Sequence, residues 1–500
     1  MSKPVGYSHL VAHYGLPSLP LLEYAELANN VSGRVTRRRG SDLVELFEPK
    51  YLNEDSLSAH LQFAFRYEGI NLQVLTLLFA QIGEQELLAW IGHSPTSRYA
   101  RIACYLYEWL TGKQLPTTRP VPSQTSYVQL ADPGRQLAFV TGKRDTRYRV
   151  QNNLPGNDRF CPLIRITPYL REMIDSDLRQ ATRTVLARYD SDLLRRAAAF
   201  LYLNETRSSF EVEREKPSPH KAQRFADMLR QADTLIPLSE ERLADLQQSV
   251  MDPRFHEFTW RREQNWIGKD MGHRQQIDFV PPRPEDVNTL MSGLLDLAQE
   301  SAEMEVDSVD SVLMAAAIAF GFVYIHPFMD GNGRIHRYLI HEVLTRAGFT
   351  PQGIVLPVSA VILAGLDDYI AALEAFSKPL NRLTDYDPTQ PDLSATGNDA
   401  VYFRYPDLTV QAEFLYKSLE RTITHDLPQE IGWLIGFDRA GNALNQILDW
   451  PDHSMELFIR VVHENDGRLS ANKRKSHFRW MKDDEVRNGE RLVNEAFGEG

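Results

Sequence analysis

Twelve consecutive residues, His326-Pro327-Phe328-Met329-Asp330-Gly331-Asn332-Gly333-Arg334-Ile335-His336-Arg337, hold most of what a phosphate-handling site needs. His326 carries an imidazole that titrates near neutrality and can serve as a general base. Asp330 offers a hard oxygen, which suits a Mg²⁺ ion held jointly by one carboxylate and a phosphate substrate. Gly331, Asn332 and Gly333 have the composition of a tight loop opening a helix. Glycines there let the backbone approach a ligand, and the helix N-terminus adds partial positive charge, so the loop reads as an anion cradle. Arg334 and Arg337 stand three residues apart on one helix face and can bind further phosphate oxygens. Each part alone is a common structural feature. Their conjunction in this order is what points to chemistry, and Phe328 reads as the apolar anchor that fixes the loop.

Two helices must hold this run. Asp307 to Tyr324 is nearly apolar on every face and is expected to be a central helix, broken at His326-Pro327 because proline lacks the amide donor. Asn332 to Ala347 is expected to be the next, ended by Gly348. Upstream, the chain reads as helical from Asp190 to Glu213 and is stopped by Pro217 and Pro219. Further helices are expected at Ala222 to Leu235, Ser239 to Val250 and Pro284 to Ala298. Gln264 to Gly268 and Gln276 to Val280 bracket the polar stretch Lys269 to Arg274, which predicts a β-hairpin ended by Pro281-Pro282.

The N-terminal third shows helical spacing from Asn53 to Gly112 and a Pro/Thr-rich connector from Leu115 to Ser126. A second hairpin is expected from Gln136–Thr141 and Thr146–Val150 around Gly142-Lys143-Arg144-Asp145. Pro, Asp, Thr and Asn are dense from Lys378 to Asp399, which reads as a boundary, and the tail from Leu408 to Phe497 is helical again. The expected fold is therefore mostly α, with a helical core and a β-hairpin. Four regions are expected: 1–175 of unassigned role, a core domain at 176–377, a linker at 378–407 and a helical region at 408–500.

The composition is that of an ordinary globular protein, 43% apolar and 24% charged over 500 residues. A net charge of −12 argues against the whole chain binding nucleic acid. Arg37-Arg38-Arg39 is a local exception that reads as a solvated turn. Cys104 and Cys161 are too few for a disulfide framework. The first ten residues lack an uninterrupted apolar segment and Val312–Ile325 is too short to span a bilayer, so no membrane association and a cytoplasmic location are expected.

The run from His326 to Arg337 resembles the Fic family signature H-P-F-x-[D/E]-G-N-G-R-x-x-R at every specified position. The resemblance implies a protein adenylyltransferase, a nucleotidyltransferase using ATP and Mg²⁺. His326 would deprotonate a Ser, Thr or Tyr hydroxyl of a target protein, which attacks the α-phosphate of ATP and leaves AMP on the target. Asp330 would hold Mg²⁺. The amides of Gly331 to Gly333, with the Asn332 side chain, would cradle the α- and β-phosphates, while Arg334 takes the β-phosphate and Arg337 the γ-phosphate. Gly333 favours nucleotidyl transfer, because the related Doc-like branch carries Lys there and is associated with phosphoryl transfer.

Other segments resemble further family parts. The hairpin at 264–282 is similar to the flap on which a target peptide docks by strand addition. Ser209 and Glu213 fit the inhibitory pattern [S/T]-x-x-x-E-[G/N] on a helix at about 190–214, with Arg214 departing from it. That resemblance implies that Glu213 pairs with Arg337 and blocks the γ-phosphate site. Tyr369 occupies a place where many relatives carry a Tyr-Tyr pair near the nucleotide, although here Asp368 is its neighbour. Self-modification and a homodimer are compatible with the same resemblance. Two other functions stay open: removal of AMP by the same site, and a regulatory interaction or DNA-binding protein with a subordinate core.

Overall fold

The computed structural model describes every residue except 1, 41, 117–119, 233–235, 273–274, 305–307, 352, 390–392, 452 and 499–500. The fold is mostly helical, with short strands in the N-terminal region, in one hairpin beside the motif and in a small pair near residue 390. At its centre lies the Ser311–Ile325 helix, buried at every position except Ser311 and Val323. Asp310 starts it by accepting the Leu313 amide at 2.8 Å. That cap explains why the helix begins at Ser311; the earlier expected start at 307 lies outside the described residues. The helix packs on Asn332–Arg346, Pro284–Glu303 and Thr409–Arg421. Each fully buried Leu, Ile or Phe in it contributes about 1.5–3 kcal/mol, so burial on nearly all sides is the main term that fixes its position.

The remaining core helices sit close to their expected places, with boundaries set by caps. Ser218 caps Pro219–Arg230 and Ser239 caps Glu240–Val250. The end expected at Leu235 lies outside the described residues. Asp190 caps Ser191–Val212, which runs against Val358–Ala364 and Pro219–Arg230. The hairpin pairs Ile267–Asp270 with Gln275–Phe279 in antiparallel register.

Three expectations need correction. The second hairpin pairs Lys143–Asp145 with Val150–Asn152, so its turn falls at Thr146–Arg149 and not at Gly142–Asp145. Asp145 accepts the Tyr148 amide at 2.7 Å and Arg149 takes φ 52°, while Gly142 lies flat against the Asn152 carbonyl where a Cβ would not fit. Arg37-Arg38-Arg39 lies on the Arg34–Arg39 edge strand of a four-stranded sheet, with Arg39 paired to Glu26, and not in a turn. A charged edge of this kind resists further strand pairing.

The third correction concerns the linker. Residues 404–408 are stitched to the N-terminal region: the Cys161 amide donates to the Arg404 carbonyl at 2.8 Å, and the Leu408 amide to the Leu163 carbonyl at 2.8 Å. Leu408, Leu415, Leu427 and Ile431 belong to the same apolar cluster as the central helix. Packing against this core runs on through Leu434 and Ile435, and a separate cluster follows from Ala440 to Val493. Of the described residues between 383 and 399, most are at least partly exposed, with Thr384, Leu393 and Asn398 buried. Among the described residues, no single helix is long and apolar enough to cross a membrane.

Candidate active site

The central helix ends on His326, which adopts φ 52° and ψ 60°. A left-handed conformation costs a non-glycine residue about 1–2 kcal/mol, so surrounding contacts must hold it. They are dense. Arg261, buried, donates its backbone amide to the Pro327 carbonyl at 2.8 Å and its Nε to the His326 carbonyl at 2.9 Å. Its guanidinium also donates to the Pro282 carbonyl at 2.5 Å, tying the motif to the end of the hairpin. The Glu257 carboxylate accepts the Met329 amide at 2.9 Å, and Asn265 Nδ2 donates to the Phe328 carbonyl at 3.1 Å. Phe328 is fully buried, its ring 5.3 Å from that of Trp260.

His326 Nδ1 lies 3.1 Å from the Val323 carbonyl. A carbonyl can only accept, so Nδ1 carries the proton and Nε2 keeps its lone pair. Burial pushes the pKa of His326 down to about 4, with the Val323 contact opposing. The ring is therefore neutral at physiological pH, with Nε2 available as a base.

Gly331, at φ 92°, precedes the Asn332–Arg346 helix, whose N-terminus has no side-chain cap. Uncapped first-turn amides beside a glycine form an anion site. The Asn332 side chain is spent inside the loop: Oδ1 accepts the Phe328 amide at 3.1 Å and Nδ2 donates to the Phe328 carbonyl at 2.8 Å. In this arrangement it shapes the loop by closing the Phe328 backbone over itself. Asp330 projects outward with its side chain 66% exposed, one oxygen accepting the Gly331 amide at 2.6 Å.

Both arginines are buried and both are occupied. Arg337 donates from Nε to Ser209 Oγ at 2.9 Å and from Nη2 to the Ser209 carbonyl at 2.6 Å. Its Nη1 is 2.9 Å from Glu213 Oε1, an ion pair whose angle falls short of a hydrogen bond. Arg334 donates to Glu215 Oε2 at 2.5 Å and to the Val250 carbonyl at 3.1 Å, with its guanidinium 5.1 Å from the Phe210 ring. Burial pushes the Glu213 carboxyl upward, but Arg337 and then Arg334 and His326 outweigh this and hold it below its ordinary value.

Glu213 lies on the cradle itself. A Cβ at position 333 would sit 2.1 Å from its Oε1, so a side chain there would push the carboxylate aside. Glu213, His326, Gly333 and Tyr369 border one cavity of about 490 Å³, with Ile267 and Gln276 of the hairpin on its rim. That size suits a nucleotide-sized ligand. Tyr369 is buried, its ring 6.1 Å from that of His336. On the Gln275–Phe279 strand, the Gln275 amide donates to the Pro388 carbonyl at 3.0 Å and the Asp278 carbonyl accepts from Asn381. Among the described residues, the Ile267–Asp270 strand pairs only with its hairpin partner.

The structure thus brings Ser209, Glu213, His326, Asp330, Gly331, Asn332, Gly333, Arg334, Arg337 and Tyr369 to one place. Glu215, Glu257 and Arg261 were not found in the sequence, because each acts through tertiary approach with no local pattern around it.

A buried apolar helix, a loop that opens on His326 and a helix N-terminus followed by two buried arginines together make up a helical domain with a polar cleft. Residues 237–344 match the model of the Fic/DOC family. A protein adenylyltransferase Fic of Nematostella vectensis is 43% identical over 75 residues, covering 15% of this chain and 17% of that protein. One of Drosophila grimshawi is 36% identical over 189 residues, covering 38% and 31%. The chain thus spans less than a third of these curated relatives. Among solved structures, a Fic domain containing signaling protein of Bacteroides thetaiotaomicron overlaps at 18% identity and a TM-score of 0.37, covering 53% of this chain and 97% of that one. A fragment of Fic-1 from C. elegans overlaps at 16% identity and a TM-score of 0.31, covering 74% and 93%.

Proposed function

We propose that the protein transfers AMP from ATP to a hydroxyl side chain of a target protein, and that Glu213 keeps this activity low at rest. The observation that carries the reading is the Glu213 carboxylate lying against Gly333 and Arg337, an anion where a phosphate would bind. His326 Nε2 takes the proton of the attacking hydroxyl, whose oxygen bonds to the α-phosphorus as the bond to pyrophosphate breaks. The amides from Gly331 to Gly333 and the helix N-terminus stabilise the charge that builds on the phosphate. Arg334 and Arg337 orient the β- and γ-phosphates once freed of their carboxylates. Asp330, solvent-facing beside the cradle, fits a Mg²⁺ ion shared with the phosphates, which would neutralise their charge. The open edge of Ile267–Asp270 suits an extended target segment or a segment of the chain itself.

The test is Glu213→Gly. A charge-assisted contact of this kind is worth about 1–3 kcal/mol, so its removal should raise AMP transfer by about ten- to a hundredfold. The measurement is incorporation of labelled AMP into the protein or a lysate target. Unchanged labelling would refute inhibition by Glu213.

A further inference from the structure

Glu215 lies two residues beyond Glu213, outside the inhibitory pattern, and yet it engages the other motif arginine. Its Oε2 is 2.5 Å from Arg334 Nη1, and its Oε1 is 2.8 Å from Lys221 Nζ. Arg334 is 4% exposed at its side chain, so it meets no bulk water and its charge is balanced locally. The turn bearing both glutamates is one unit. The amides of Glu213 and Glu215 both donate to the Phe210 carbonyl, at 3.0 and 3.1 Å, and the Phe210 ring lies under the Arg334 guanidinium.

We infer that Glu213 and Glu215 form a two-pronged clasp, each carboxylate holding one motif arginine, so that nucleotide phosphates must displace both. This rests on the site being a nucleotide transferase. With Glu213 as the single prong, Arg334 would keep its contacts to the Val250 carbonyl and to Asp330 Oδ1, 3.5 Å away, and could still turn to a β-phosphate while Arg337 stayed closed. With two prongs on one turn, both arginines are released when the turn leaves. Lys221 makes the outer prong the easier to move, because Glu215 keeps a cationic partner after parting from Arg334. Arg337, by contrast, keeps neutral partners, the oxygens of Ser209 and the Tyr369 hydroxyl, when Glu213 departs.

The experiment compares Glu215→Gln, Glu213→Gly and the double variant in ATP titration and AMP transfer, with melting curves to confirm folding. Gln keeps shape and removes charge, so Glu215→Gln should bind ATP about 3- to 30-fold more tightly and label faster. The double variant should exceed Glu213→Gly by a similar factor. Glu215→Asp, which shortens the reach by one methylene, should fall between wild type and Glu215→Gln. The clasp is overturned if Glu215→Gln matches wild type in ATP affinity, or if it labels more slowly, which would make Glu215 an orienting partner of Arg334. Either result with an activated Glu213→Gly leaves the transferase reading standing. Loss of that reading would instead show as labelling indifferent to His326→Ala.

Discussion

The two walls of the candidate site are built in opposite ways. On one side, the loop from His326 to Asn332 is tied almost atom by atom: Arg261 holds the His326 and Pro327 carbonyls, Glu257 the Met329 amide, and Asn332 both polar groups of Phe328. On the other side, the turn from Glu213 to Glu215 is held across the cavity by ion pairs and carries Arg214 at φ 58°. Polar groups buried with their partners are costly to separate, whereas a partly solvated carboxylate can exchange its partner for water or another anion. One wall is made to stay and the other to leave.

The largest effect should come from the wall that stays. In the Glu213→Gly background, His326→Ala should lower AMP transfer by about 10²–10⁴-fold, the usual worth of a positioned general base. Labelling at the undiminished rate would show that the loop holds something other than a base.

Acidification separates the walls less drastically. The His326 pKa is depressed to about 4, so the neutral, active form persists as pH falls and is lost only through about pH 4. Glu213 is also held below its ordinary value, so the inhibitory charge is present above that value and fades only as pH falls below it. Acid therefore gives no window between neutrality and about pH 5 in which Glu213 loses its charge while the base stays neutral. AMP transfer by Glu213→Gly should be flat across that window, and wild type should show no activation in it. An acid limb near the usual histidine value would mean that the ring is better solvated than its burial indicates.

How much of this was legible in the sequence differs between the walls for the same reason. From His326 to Arg337 the groups are contiguous, so order and spacing alone place them together. The mostly helical fold was equally readable, because Val312 to Ile325 is apolar on all faces and must be central. What holds the loop was not readable: Arg261 and Glu257 approach it through space, and nothing near them in the chain marks them. The polar run near residue 390 imitated a linker because composition reports exposure, while the bonds from Arg404 and Leu408 to the N-terminal region report attachment. Gly142 imitated a turn because glycine serves close approach as well as reversal. Asn332 showed its place in the sequence but not its direction, which depends on the Phe328 backbone folding over it.

The smallest effect is the most specific to the wall that leaves. At position 214 the inhibitory pattern has glycine or asparagine, and the structure gives the reason: the residue there sits in the left-handed region, at φ 58°, where a bulky side chain is strained. Arginine at this position should therefore weaken the closed turn relative to the open one. Relieving the strain is worth about 1–2 kcal/mol before subtracting the greater freedom that glycine gains on release, leaving about 0.5–1 kcal/mol. Arg214→Gly should close the site further and lower AMP transfer by about two- to fivefold, with no change when Glu213 is also glycine. Arg214→Asn, which tolerates the same conformation with less added freedom, should do at least as much. If Arg214→Gly instead raised transfer, the turn would not be strained in the closed state, and the contrast between the two walls would rest on the ion pairs alone.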